Sequence, residues 1–297
     1  MSSRAQTGGD VQVHSDEMLL MLACGAALCL AGALGVRWRH YGLAMPERSP
    51  RDDGTTAAPG ADLCWLLSVG LLAGMVIGVL VLGPAARLAM RLIAAASPPQ
   101  AQGADTTFGA TVGEITVGGT LFLVVGFGLL SGVAVGLVYV FAAFVLPRGM
   151  LGGVIFGAVL LVLFASRIDP LRAANQDFEI VGPGWLSVVT FTSLALTTGA
   201  LTAPVAGRIA AALPAPRWWA VGWLVPGGLL AIGALLGSWQ ALVIVLAGSL
   251  IYLTCERNPR FGALVRERGR RIVQVALSAA VLLALPDFLS AVKSIVT

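Results

Sequence analysis

The sequence contains few charged residues: of its 297 residues 11% are charged and 57% are hydrophobic. A soluble domain carries about 25% charged residues, so this composition excludes an ordinary soluble fold. It also excludes intrinsic disorder, which requires low hydrophobicity and high charge. With a mean hydropathy of +0.88, the chain is predicted to be a multi-pass membrane protein.

Histidine is nearly absent, and His14 and His40 both lie outside the long apolar runs. The interior of the membrane therefore has no histidines for a haem, a zinc site or a catalytic triad. The sequence also lacks a GxxxxGK[ST] phosphate loop and any CxxC pair among its four cysteines, Cys24, Cys29, Cys64 and Cys255. We accordingly predict no cofactor, no metal site and no assigned catalytic residue.

Long apolar runs are abundant. About 20 apolar residues are needed for a helix to cross the bilayer, and the runs lack the alternation of barrel strands. The predicted fold is thus an all-α, polytopic helical bundle with about eight transmembrane helices. They cover residues 18–36, 63–83, 118–146, 149–166, 185–207, 218–236, 239–255 and 272–292.

Basic residues indicate the orientation, because they collect on the cytoplasmic side. With the N-terminus outside, the outer side carries Arg4, Arg87, Arg91, Arg167, Arg172 and Lys293. The other 13 of the 19 basic residues then lie inside. This predicts a plasma membrane protein with both termini outside. The short turn at residues 237–238 is the weakest point of the topology.

Three regions are predicted along the chain. Residues 1–44 form an N-terminal tail and first helix, 45–62 a flexible inner linker rich in proline and polar residues, and 63–297 the main bundle of about seven helices. Within the spans, Pro84, Pro204 and Pro226 are expected to kink or end their helices.

Glycines recur at intervals of four in two spans: Gly128, Gly132 and Gly136, and then Gly149, Gly153 and Gly157. Residues four apart share a helix face, and small residues there permit close helix packing. We predict a glycine zipper in each span. It packs either within the bundle or against a second copy in a homo-oligomer.

Hydroxyl residues form a stripe in the fifth span, at Thr190, Ser193 and Thr197. They could line a polar path or bond to helix backbones. The middle of each span lacks ionisable residues, which argues against proton-coupled transport.

Charged residues collect at the outer ends of the spans. Arg87 and Arg91 are four apart and share a helix face, and two outer connections supply further charges. We interpret the group in three ways: arginines reaching lipid headgroups, an internal ion-pair network, or a ligand site gripping a phosphate or carboxylate. Arg87, Arg91 and Glu114 are expected to lie together. The full candidate cluster is Arg87, Arg91, Asp105, Glu114, Arg167, Asp169, Arg172, Asp177 and Glu179.

The inner face has its own basic segment, an inner loop at 257–271 with six arginines. Anionic lipid headgroups are its expected partners, with docking of a membrane-protein partner as the alternative. The net charge of +4 is accounted for by topology, so no nucleic-acid partner is predicted.

Three functions remain open, and the sequence leans away from an enzyme. The leading hypothesis is a non-catalytic structural, assembly or partner-binding protein. The second is a transporter, channel or lipid-handling protein with an outer-face polar site. The third is an outer-face enzyme acting on a lipid phosphate, with Glu114, Asp169, Asp177 or Glu179 as acid or base.

Overall fold

The computed structural model describes residues 4–43, 60–106, 111–114, 116–167, 171–172, 174–175, 177–213, 228, 231–235 and 237–297. Within these ranges the chain is helical apart from turns and one isolated bridge between Asp105 and Thr111. The helices are α1 (Arg4–Trp38), α2 (Ala61–Ala96), α3 (Val117–Ala142), α4 (Met150–Phe164), α5 (Asp177–Ile180), α6 (Gly184–Ala212), α7 (Trp239–Arg257) and α8 (Pro259–Val296). The all-α membrane bundle is confirmed.

Six of the described helices are long and apolar enough to cross a membrane: Glu17–Trp38 of α1, and the whole of α2, α3, α6, α7 and α8. Helix α4 is apolar but shorter, with 15 residues. Most of the predicted span at 218–236, with Pro226, lies outside the described residues, as does most of the predicted linker at 45–62. The total of eight spans and the three-region division stay predictions.

Helix α2 continues through Pro84, where its span was expected to kink or end. Proline lacks an N–H group and its ring clashes with the carbonyl four residues earlier. A π-helical turn at Gly78–Leu82 inserts one extra residue there, and the Gly83 N–H donates to the Gly78 carbonyl. The second α-helical segment then begins at Gly83, with Pro84 in its first turn, and carries Arg87 and Arg91. Pro204 likewise lies inside α6 without ending it.

Three glycines of α2 face three of α3 in antiparallel order: Gly70 with Gly136, Gly74 with Gly132, and Gly78 with Gly128. A Cβ on Gly70 would lie 2.9 Å from the Gly136 carbonyl oxygen, and the other two pairs are closer. The two backbones therefore touch along the middle of both helices, which no larger residue permits.

The second glycine ridge has a different partner. A Cβ on Gly153 would contact the carbonyl oxygen of Gly199 in α6, and one on Gly157 that of Ala195. Gly149 precedes α4 with a φ of +74°, a conformation that glycine adopts without steric cost. Each ridge thus packs within the chain, against a neighbouring helix and not against the other ridge.

The core is unevenly shared among the helices. In the most apolar window of each helix, 61% of α2 is buried in the protein, against 17% of α1, 11% of α7 and 6% of α8. The largest buried side chains include Trp65 and Leu66 of α2 and Tyr139 of α3. Tyr139 meets Phe156 of α4 edge to face, with ring centroids 5.2 Å apart.

One end of the bundle joins the connections that were predicted to lie inside. The Gly60 N–H donates to Glu256 Oε2 at 3.1 Å, and Gln274 Nε2 donates to the Val145 carbonyl at 2.7 Å. Arg208 lies over the ring of Tyr41, 5.9 Å from its centroid. We call this the arginine-rich end.

The opposite end joins the connections that were predicted to lie outside. The Gly182 N–H donates to Ser97 Oγ at 3.0 Å, and Gly184 packs against the backbone of Ile295 near the C-terminus. We call this the loop end. It holds the connection between α2 and α3 and the connection between α4 and α6, which we call the first and second long connections.

The arginine-rich segment 257–271 was predicted to be a loop, but the structure corrects this. Asn258 caps a helix that begins at Pro259: its Oδ1 accepts from the N–H groups of Arg260 at 3.2 Å and Phe261 at 3.3 Å. Proline at the first helical position is also favourable. The cap at Asn258 thus begins α8 upstream of the apolar part of this helix.

Candidate functional site

The loop end holds the arginines that the sequence singled out. Arg87 and Arg91 lie on the second α-helical segment of α2, after the π turn, and this segment packs against α1. Both side chains are partly buried. The π turn is therefore what extends the helix far enough to carry them.

Arg87 has no hydrogen-bond partner for its Nε and Nη2 atoms among the described residues, although both atoms are buried. Cys24 and Glu17 of α1 lie within electrostatic range, as does Arg91. An arginine stays protonated in proteins, so this is a charged group with unused donors. Unpaired buried donors are rare in native proteins.

Arg91 is held by the first long connection. Its Nη1 donates to the Gly113 carbonyl at 3.3 Å. Gly113 has a φ of +90°, in the left-handed region that glycine favours. It follows Val112, whose carbonyl accepts from the Gly103 N–H at 3.0 Å.

Asp105 and Glu114 belong to this same connection but do not pair with the arginines. Thr111 Oγ1 donates to Asp105 Oδ1 at 3.3 Å, and the two residues also form the isolated bridge. Glu114 is exposed, and the described residues contain no ion pair between it and Arg87 or Arg91. Arg87, Arg91 and Glu114 thus belong to the same end of the bundle, but the described residues do not form the expected ion-pair network.

The second long connection is attached to the first through Ser97. Its Oγ accepts from the Gly182 N–H at 3.0 Å and donates to the Ile93 carbonyl at 2.8 Å. Sequence reasoning missed Ser97, because a serine before two prolines looks like an ordinary helix end.

Arg167 forms an ion pair that the sequence did not suggest. Its Nη2 lies 3.1 Å from Oδ2 of Asp287 in α8, with the two side chains 57% and 65% exposed. Asp287 was missed because it falls inside the predicted last span. The preceding Pro286 was the available signal that this position differs from its apolar neighbours.

Two of the remaining candidates, Arg172 and Asp177, are described by the structure. Arg172 is exposed, and the Asp177 N–H donates to Asn175 Oδ1 at 3.0 Å at the start of α5. Asp169 and the side chain of Glu179 lie outside the described residues. The role of the full candidate cluster as one ligand site stays a prediction.

One residue of the hydroxyl stripe of α6, Thr190, bonds to its own helix. Thr190 Oγ1 donates to the carbonyls of Leu186 and Ser187, at 2.8 and 3.0 Å. Ser193 and Thr197 are exposed on the described bundle. The stripe therefore does not line an interior path between the described helices.

No group of three or more His, Cys, Asp or Glu side chains that could hold a metal occurs within the described ranges. The cysteines are free thiols spread over α1, α2 and α7.

Fold and site together define a multi-pass helical membrane protein with a charged loop end. No protein-family model matches the sequence, and no curated protein or solved structure is significantly similar to it.

Proposed function

We propose that this chain is a non-catalytic integral membrane protein that acts by binding or assembly. The observation that carries the proposal is the contact of glycine backbones along two helix pairs, α2 with α3 and α4 with α6. Interfaces of this kind are intolerant of sliding, because any added or shifted atom meets backbone within 3 Å. Such glycine zippers suit a bundle whose helices keep fixed positions, which we call a rigid platform, better than a transporter whose helices move.

The placement of the α6 hydroxyls supports this proposal over transport. A polar path needs side chains that point into a gap between helices, whereas Thr190 and Thr202 donate to carbonyls of their own helix. A cavity lined by Leu34, Ile77 and Leu201 among others encloses only about 10 Å³. That volume is about the least that holds one water molecule.

The proposal includes the plasma membrane, with both termini outside. It is supported by the grouping of the connections at two ends of the bundle, one of which carries most of the arginines. At that end α8 begins with exposed Arg260, Arg268, Arg270 and Arg271. Each such residue gains about 1 kcal/mol near an anionic membrane surface, so anionic lipid headgroups are the proposed partners there.

Distances between spin labels test the proposal directly. In a cysteine-free background, one pair of labels is placed at the loop end, on Gln100→Cys and Lys293→Cys. A second pair is placed at the arginine-rich end, on Arg148→Cys and Arg257→Cys. All four positions are exposed. A rigid platform predicts one narrow distance distribution for each pair in lipid nanodiscs.

A transporter predicts a different result, because alternating access opens one end while it closes the other. Two populations that shift in opposite directions at the two ends would contradict the platform. The same measurement on Gly132→Ala provides the control, since loosening the glycine contact should broaden the distributions. Lipid hydrolysis by purified protein would instead favour the outer-face enzyme.

A further inference from the structure

Arg87 carries a positive charge, and two of its nitrogens have no hydrogen-bond partner in the described part of the chain. Its Nε and Nη2 atoms are buried and have no hydrogen-bond partner among the described residues. A guanidinium does not lose its proton in proteins, so it cannot escape the cost of burial by becoming neutral. Burying a charge is unfavourable unless the charge is paired and hydrogen-bonded.

The neighbouring groups do not supply that pairing. Arg91 carries a charge of the same sign as Arg87, and its Nη1 donates to the neutral Gly113 carbonyl. Glu17 interacts with Arg87 electrostatically but forms no ion pair or hydrogen bond with it within the described chain. Glu114 is exposed. Arg87 thus lies near a second arginine, and Glu17 is the one carboxylate named among its electrostatic neighbours.

The depth of Arg87 follows from the helix pairing. Gly78 of α2 packs on Gly128 of α3, and both lie close to the midpoints of their helices. At a rise of 1.5 Å per residue, the Cα of Arg87 lies about 13 Å from this midpoint. The hydrocarbon core extends about 15 Å to each side of the bilayer centre. Arg87 therefore lies near the boundary where lipid phosphates begin, and Arg91 lies one turn beyond it.

Ordinary snorkelling does not describe this side chain. A snorkelling arginine extends its charged head into water or headgroups, whereas two nitrogens of Arg87 are enclosed beside α1 and its buried Cys24. The two free donors thus lie where the second segment of α2 packs against α1. Arginine binds phosphate oxygens through two parallel N–H groups, which suits such an enclosed site.

We infer that Arg87 and Arg91 form a binding site for a phosphate group at the loop end, between α1 and the second segment of α2. The inference rests on the proposed binding function and names its ligand class. A phosphate in this position would accept from the two free donors of Arg87 and offset the like charge of Arg91. The group is carried either by an anionic phospholipid headgroup or by free phosphate.

Native mass spectrometry and thermal unfolding test the site in purified full-length protein. Protein is exchanged into detergent with phosphatidylglycerol, phosphatidylcholine or inorganic phosphate. The site predicts retention of one ligand and an upward shift of the unfolding temperature in at least one phosphate-bearing arm. Stabilisation by phosphatidylglycerol alone assigns a lipid, and equal stabilisation by inorganic phosphate assigns a free ligand.

Four variants make the test specific. Arg87→Gln should lower the apparent affinity for the retained ligand at least tenfold, and Arg87→Lys should lower it less because the charge remains. The matched control is Arg172→Gln, which removes an exposed arginine from the same end and should leave affinity unchanged. If Arg87→Gln does not fold, Arg87→Lys and Arg91→Gln carry the comparison.

Three outcomes would overturn the inference. One is equal ligand retention in Arg87→Gln, Arg87→Lys and the control. Another is the absence of any stabilisation of the wild type by all three ligands. The third is a strong stability loss in Glu17→Gln or Asp16→Asn that vanishes in the Arg87→Gln background, because the partner would then be a carboxylate of α1. None of these outcomes depends on the spin-label distances. The phosphate site and the rigid platform can therefore be disproved independently of each other.

Discussion

The ion pair between Arg167 and Asp287 lies at the surface of the bundle. Their side chains are 57% and 65% exposed, with Nη2 and Oδ2 3.1 Å apart. Exposed ion pairs gain modest Coulomb energy and lose side-chain freedom, so the typical net value is 0 to about 1 kcal/mol.

We therefore expect weak coupling in a double-mutant cycle of Arg167→Ala and Asp287→Ala, below about 1 kcal/mol in the free energy of unfolding. Reversible unfolding in mixed detergent micelles measures it. Coupling above about 2 kcal/mol would mean that this pair is shielded from water and helps to hold α8 in place.

Ser97 makes a more consequential contact, because one hydroxyl bonds both the end of α2 and the second long connection. Ser97→Ala should lower the free energy of unfolding by about 1–2 kcal/mol, since the Gly182 N–H loses its partner. Thermal unfolding measures this. Thr254→Ala is the matched control: its exposed hydroxyl bonds only the Leu250 carbonyl of its own helix, so little change is expected. Equal losses in both variants would contradict the bridging role.

At the scale of helices, glycine contacts decide which elements form the core. A Cβ at Gly132 would meet the Gly74 carbonyl and the Gly78 backbone, whereas one at Gly118 in the same helix meets nothing within 4 Å. Identical Gly→Ala changes in α3 therefore have opposite expected effects.

Gly132→Ala should destabilise the protein by about 2–3 kcal/mol, because overpacking forces the helices apart. Gly118→Ala should be neutral or stabilising by up to about 1 kcal/mol, since it only reduces unfolded-state freedom. Unfolding of both variants in the same detergent measures the difference. A loss in Gly118→Ala as large as that in Gly132→Ala would show that helix packing is not the cause.

The positions of the apolar helices could be predicted because the bilayer requires a fixed apolar length, but their ends depend on local detail. The continuation of α2 past Pro84 depends on a π turn, which hydropathy does not report. The segment 257–271 was expected to be a loop, but most of it belongs to α8, which is capped by Asn258. In both cases hydrogen bonds of a few backbone groups decided the structure.

Partners across the bundle were less predictable than helix positions. The spacing of Gly128, Gly132 and Gly136 predicts a packing face but not that α2 covers it, since glycine faces look alike in sequence. The site follows the same rule: Arg87 and Arg91 share a face by spacing alone, while Asp287 meets Arg167 across 120 residues. Long-range pairing of this kind has no local signal.

At the scale of the whole molecule, the contacts give a consistent division into two ends. Four connections that carry most of the arginines meet at one end, and the two long connections meet at the other, through Ser97 and Gly182. Because basic residues are retained on the cytoplasmic side, we predict that the loop end faces outward.

Single-cysteine labelling in a cysteine-free background tests this orientation. Gln100→Cys at the loop end and Arg257→Cys at the arginine-rich end are both exposed. A membrane-impermeant maleimide applied to intact cells should modify only position 100, and it should reach position 257 only after the membrane is opened. Asn175→Cys and Thr55→Cys extend the same comparison to the second outer connection and the inner linker.

Labelling of both ends from the same side would show that the helices between them do not cross the membrane as predicted. Labelling of position 257 alone would invert the topology, and the Arg87 site would then face the cytoplasm.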